Sequence, residues 1–153
     1  MYLKLSIIAD NVVADPGFLA EHGFAVFVET DAGKFLFDTG QGMVLHANAR
    51  MMGINLCDIE DIVLSHGHYD HANGVRMLYC NSKLRIYAHP MVFKPRFKKI
   101  SSKKYKNIGI DWLDNAMIVD KVEWMLSEEP RFLADNIVLS GTIPRVTDFE
   151  QST

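Results

Sequence analysis

Cysteine is scarce: 153 residues carry only Cys57 and Cys80. Two cysteines cannot form the multi-bridge framework of a small secreted domain, and no Cys-x-x-Cys pair suggests a metal knuckle. The expectation is a reduced, cytoplasmic chain. Apolar runs are short, and none approaches the ~18 residues of a membrane span. Met1–Ala9 is apolar but stops at Asp10 without a small-residue cleavage site, so no secretory signal is expected. A basic excess is also missing. Lys and Arg total 16 against 19 Asp and Glu, and the isoelectric point near 6.0 argues against a general nucleic-acid binder. What is present is ordinary for a globular protein: 48% hydrophobic, 23% charged and a mean hydropathy of +0.01. This composition suits one domain over residues 1–153 with enough apolar matter for a core.

The patterning predicts an α/β chain with a mixed sheet and flanking helices. Tyr2–Ile8 alternates as a strand, and Asp10–His22 reads as a loop with a short helix. Phe24–Thr30 and Phe35–Phe37, rich in β-branched and aromatic residues around Asp31-Ala-Gly-Lys, read as a hairpin. Met43–Met52 has helix formers and ends at Gly53, a C-cap glycine. Ile62–Ser65 is a buried strand, followed by a short helix around Val75–Tyr79, and Leu84–Ala88 is another strand. Late strands are expected at Val122–Leu126 and Asn136–Ile143, and Trp112 and Trp124 are assigned to core or interface.

Ligand chemistry concentrates in one place. Ser65-His-Gly-His-Tyr-Asp-His reads His66-x-His68-x-Asp70-His71, three of the six histidines and a carboxylate directly after an apolar strand. Imidazole and carboxylate suit zinc, iron or manganese. Two histidines at i and i+2 leaving a strand end can point the same way, and the adjacent Asp-His pair reaches a second point as the backbone turns into a helix. A two-metal site, with ions ~3.5–4 Å apart, needs such split ligand sets. A chance histidine-rich loop is the weaker reading of four such residues in this pattern.

The His66–His71 segment resembles the signature of the metallo-β-lactamase superfamily. Glu21-His-Gly-Phe, Phe37-Asp-Thr-Gly, Leu64–Gly74 and Ile143-Pro-Arg-Val-Thr-Asp-Phe-Glu together resemble the branch of ribofuranosylaminobenzene-phosphate (dihydropterin) synthase-like proteins. The resemblance implies an αββα sandwich, of which this chain is expected to supply only the N-terminal half. It also implies that His66 and His68 hold a first divalent ion and Asp70 and His71 a second, most often zinc. Asp70 would then orient a metal-bound water as nucleophile. Asp38 would accept a hydrogen bond from a ligand imidazole, although an Asx turn before Gly40 explains it equally well. His22 is placed near the mouth of the site as a substrate contact or an ordinary loop residue. Arg145 is placed as a partner for an anionic substrate group or for Asp148.

The superfamily pattern also requires later ligands, and here the only histidine after His71 is His89, in Ala-His-Pro, which reads as structural. The site is therefore expected to be incomplete, holding one or two ions. Half a sandwich would leave an apolar sheet face bare, to be covered by a second copy or a partner chain. Lys94–Lys106 contains seven basic and no acidic residues. It is expected to be a solvated or mobile surface segment, with attraction of a phosphorylated small substrate as an intermediate reading and nucleic acid disfavoured. The functional expectation is a metal-dependent hydrolase-like protein acting on a small phosphorylated or pterin-type substrate. The alternative is a truncated or split non-enzymatic metal-binding or interaction module that needs a partner chain.

Overall fold

The computed structural model describes residues 2–78, 80, 83–144, 146 and 147. Its frame is a six-stranded mixed sheet. The strands are β1 (Leu3–Ala9), β2 (Ala25–Thr30), β3 (Gly33–Phe37), β4 (Asp61–Val63), β5 (Leu84–Ala88) and β8 (Val122–Leu126), adjacent in that order. β1, β2 and β3 are antiparallel neighbours, whereas β3, β4, β5 and β8 run parallel. Two further hairpins, β6 (Phe97–Ser101) with β7 (Lys104–Asn107) and β9 (Arg131–Ala134) with β10 (Ile137–Leu139), form separate two-stranded sheets. The helices are short: α1 (Leu45–Met51), α2 (Tyr69–Ala72) and α3 (Ala116–Val119), joined by single 3-10 turns.

The expected β2–β3 hairpin forms with Thr30 opposite Gly33 across the turn. The Thr30 hydroxyl accepts from the Ala32 amide and donates to the Gly33 carbonyl, closing that turn. α1 ends as expected. Gly53 adopts φ +70°, and the Ile54 amide folds back onto the Ala49 carbonyl at 2.8 Å. Three expectations change. Asp10–His22 carries no helix. The helix expected near Val75–Tyr79 begins earlier, as α2 inside the histidine segment, and continues as a 3-10 turn over Asn73–Met77. The basic stretch is solvated surface, as expected, and is ordered as the β6–β7 hairpin, while β9 and α3 were not foreseen. The cysteines expected to be reduced thiols are bonded to each other, Cα to Cα 5.5 Å apart. A separation of 23 residues and the absence of any Cys-x-x-Cys spacing gave no local signal for that pairing.

The sheet has two unlike faces, because side chains directly opposite in register share a face. On one, Leu36, Ile62, Ile86 and Trp124 form a row across four strands. This row packs under Leu45, Ala49, Val75, Leu78 and Trp112 in the main core. On the other, Ile7, Val26, Phe37, Val63, Tyr87 and Met125 form a row across all six strands. There the β9–β10 hairpin lays Leu133, Ile137 and Leu139 against the middle of the face. It leaves most of β1 uncovered. Leu3, Leu5 and Ile7 are 56%, 60% and 51% exposed, on an edge strand. Among the described residues, no helix is long and apolar enough to cross a membrane.

Candidate functional site

The site grows from the carboxyl ends of β3 and β4, the usual place for a ligand in parallel α/β sheets. β3 ends at Phe37, and Asp38 follows with φ +56°, left-handed backbone that a non-glycine residue rarely takes. What holds it there is a set of hydrogen bonds. The Asp38 amide donates to the Val63 carbonyl at 2.8 Å. Its buried carboxylate receives the Ser65 amide at 2.8 Å, the Ser65 hydroxyl at 2.7 Å and Nδ1 of His71 at 2.7 Å. The Thr39 amide and hydroxyl both donate to the His71 carbonyl. Asp38 is thus more than an Asx turn: it fastens the β3 end to both ends of the histidine segment.

This network fixes ring tautomers. An ionised carboxylate only accepts, so His71 carries a proton on Nδ1 and, when the ring is neutral, leaves Nε2 with a lone pair. The Ser65 hydroxyl spends its proton on Asp38, so its oxygen accepts from His66 Nδ1 at 2.8 Å. His66 therefore also presents an unprotonated Nε2 with its lone pair free. The hydrogen bond to Asp38 raises the His71 pKa above the ordinary histidine value. Burial and the neighbouring His71 and His68 push His66 down to about 4. Burial and the Arg96 charge lower His68. At neutral pH His66 and His68 are neutral imidazoles, the form that binds metals.

The expected residues do come together. The His66 ring centroid lies 4.7 Å from that of His68 and 4.2 Å from that of His71. Asp70 Oδ2 is 3.7 Å from His71 Nε2 and 3.3 Å from His22 Nε2, which puts His22 beside the segment. Arg145 lies outside the described residues. His89 is structural: its Nδ1 accepts from the Met91 amide and its Nε2 meets the Thr142 hydroxyl. Packing leaves the segment little freedom. A Cβ on Gly67 would strike the Val92 carbonyl oxygen, and one on Gly23 the Asp70 carbonyl oxygen.

Two contributors escaped the sequence reading. Ser65, one residue before the histidines, was not given a role, although its hydroxyl joins Asp38 to His66. Glu21 is a buried carboxylate that accepts the amides of Gln41, Gly42 and Met43, ordering the loop after Asp38. A glutamate beside a histidine and glycine gave no hint of burial. Next to Ser65, a cavity of about 370 Å³ opens between the sheet and the β9–β10 hairpin, lined among others by Phe37, Tyr87, His89, Glu129 and Arg131.

The donor chemistry suits a divalent cation, since the Nε2 atoms of two imidazoles and a carboxylate are held within one short segment. The set is not complete: among the described residues, no group of three or more His, Cys, Asp or Glu side chains is arranged to hold an ion.

A mixed sheet with this segment at its parallel strand ends defines a family, and the sequence agrees. The model of the metallo-beta-lactamase superfamily matches residues 20–145, and the chain belongs to that superfamily. An uncharacterized protein of Methanocaldococcus jannaschii is 33% identical over 149 residues, covering 95% of this chain and 56% of the relative. The 7,8-dihydropterin-6-methyl-4-(beta-D-ribofuranosyl)-aminobenzene-5'-phosphate synthase of the same organism is 29% identical, covering 92% of this chain and 51% of its own length. The chain thus spans about half the length of the curated relatives it matches. Among solved structures, the metallo-beta-lactamase fold protein YhfI from Bacillus subtilis aligns with a TM-score of 0.53 at 17% identity, over 92% of this chain and 52% of that one. At that identity the likeness establishes the fold and nothing further.

Proposed function

We propose that the chain is a metal-dependent hydrolase of this superfamily, acting on a small phosphorylated or pterin-type substrate. The observation that carries the reading is the Asp38 carboxylate. It sets the tautomer of His71 directly and that of His66 through Ser65, so that both present Nε2. Such orientation of imidazoles from behind is what metal sites require of their surroundings. His66 and His68 would hold one divalent cation and Asp70 and His71 a second, zinc fitting best and iron or manganese also accepted. A bound cation lowers the pKa of water towards ~7 and supplies hydroxide at neutral pH. Asp70 acts as the catalytic carboxylate, accepting a proton and orienting the attacking group, while His22 Nε2 restrains it. The name of one relative, a synthase of a dihydropterin-linked ribofuranosyl-aminobenzene 5'-phosphate, supports the substrate class.

Metal analysis by inductively coupled plasma on protein purified without added metal tests this. One or two ions per chain, lost in His68→Ala, are expected; a metal-free wild type after zinc loading and dialysis overturns the reading.

A second reading draws on the incomplete donor set: a metal-binding or interaction module whose site is finished by another polypeptide. In either case the bare part of the sheet is an interface. We assign a second copy of this chain as its occupant, because β1 offers both an apolar face at Leu3, Leu5 and Ile7 and an unpaired strand edge. A dimer by light scattering at micromolar concentration is expected; a monodisperse monomer overturns the assignment.

A further inference from the structure

The β6–β7 hairpin adds nothing to the core. Both strands are exposed along their whole length, and the hairpin forms a sheet of its own. An isolated two-stranded hairpin is marginal in water, so an anchor must hold it. Its anchor is the histidine segment. The Ile108 carbonyl accepts the Tyr69 amide at 3.0 Å, the Ile108 amide donates to the Arg96 carbonyl at 2.9 Å, and His68 bridges to Gly109. The Arg96 guanidinium donates to the carbonyls of Val92, Lys94 and Met91 at 2.9 to 3.2 Å and approaches that of Gly67 at 3.4 Å. Its charge is committed to this joint.

The charges further along the hairpin are uncommitted. Elsewhere Lys4, Lys34, Arg76, Lys83 and Arg85 each pair with an acid. Among the described residues, no ion pair reaches Lys98, Lys99, Lys103, Lys104 or Lys106. Lys98 also stands directly opposite Lys106 in the ladder, a like-charge pairing that costs stability. Register and alternation put Lys98, Lys104 and Lys106 on one face, and Lys106 reaches back to place its Nζ 5.5 Å from the centre of the Tyr69 ring. That face is a row of three unneutralised cations leading down to the loop between His68 and Asp70. The aromatic residues Phe97 and Tyr105 fall on the opposite face with Lys99, so bases stacking on them would not meet this row. The arrangement favours a compact phosphate over a nucleic-acid strand.

We propose that the β6–β7 hairpin is an anion-recruiting arm, with Lys98, Lys104 and Lys106 drawing a small phosphate ester to the His66–His71 segment. The proposal names the substrate class of that same site and so rests on the functional reading above. Its test does not need a loaded metal. The full chain, treated with chelator and dialysed, is titrated with inorganic pyrophosphate at 20 and 200 mM salt and followed by amide NMR. Signals of Lys104–Lys106 and Tyr69 should shift together, with affinity falling several-fold at the higher salt as the field is screened. Lys98→Glu with Lys104→Glu should weaken binding at least tenfold without lowering the melting temperature, since Lys98→Glu replaces a like-charge pairing with Lys106 by an opposite-charge one; should that pair disturb folding, Lys98→Gln with Lys104→Gln replaces it.

Unchanged affinity in a folded double variant overturns the arm, as does binding whose shifts avoid the hairpin. A single-stranded oligonucleotide that binds a hundredfold more tightly than pyrophosphate overturns the small-ligand assignment. Failure of metal loading with intact pyrophosphate binding would remove the hydrolase reading and leave the arm standing.

Discussion

The two faces of the central sheet come from the same strands yet end in different states. On the helix side, Leu36, Ile62 and Ile86 have no exposed surface and Ile8 has 1%. On the other side, Val26, Val63 and Tyr87 reach burial only under the β9–β10 hairpin, and at β1 the apolar row runs into solvent. Alternating apolar residues therefore do not distinguish a finished core from a surface awaiting cover. Both faces satisfy the same period of two. What separates them is whether the chain supplies helices long enough to lie across, and α1 with the 3-10 turns does so on one side only.

The largest test of that difference is Ile62→Ala, which removes a fully buried side chain and should cost about 2–5 kcal/mol in urea unfolding. A cost below 1 kcal/mol would show that the helix-side core is loose. Next is the bridge that fastens the helix side. By chain-entropy arithmetic, Cys57→Ser should cost about 3 kcal/mol, and reductant should lower the wild-type melting temperature to that of the variant. No response to reductant would mean the bridge is not formed. Asp38→Asn, at the seam between the faces, keeps volume but loses the anionic acceptor. Zinc affinity by competition with a chromophoric chelator should fall 10–100-fold. A variant that binds normally would remove Asp38 from its orienting role.

Acid gives a smaller effect with a definite sign. His66 is held down to about 4 in the folded chain, so between its ordinary value and that point the unfolded state binds the proton and the folded state does not. Stability of the metal-free protein should therefore fall as pH drops from about 6.5 towards 4. His71 runs the other way. Its raised pKa contributes stability that is full below about 6.5 and fades as pH rises through its folded value. His66→Asn should flatten the acid side of the melting profile and His71→Asn the neutral side; unchanged profiles would refute both environments. The smallest expected effect is at the bare edge. Leu5→Gln should change monomer stability by no more than about 0.5 kcal/mol while raising the dimer dissociation constant. A large loss of stability there would mean that β1 is already covered.

Much of this could be read before the structure. β1 and β5 followed from local alternation, the β2–β3 hairpin from β-branched and aromatic residues around a turn, β4 from a short apolar run, and α1 with its Gly53 terminus from helix punctuation; β8 was also expected as a strand. The histidine segment announced itself because four ligand-type residues lay within six positions. The remainder depended on distance along the chain. Ser65 and Glu21 act through partners 27 and 20 or more residues away. The Cys57–Cys80 bond crosses a strand and the whole histidine segment. The β6–β7 hairpin was hidden for another reason. Its strands carry lysines on both faces, so they lack the apolar alternation that marks a half-buried strand, and only their docking on Tyr69 and Arg96 gives them a place.

That bond makes residues 57 to 80 a closed ring, and His66, His68, Asp70 and His71 all ride on it. A single protease cut anywhere within the ring would leave the two fragments joined, migrating as one species until reductant is added. The ligand-bearing turn would keep both of its tethers to the scaffold after its own backbone had been severed.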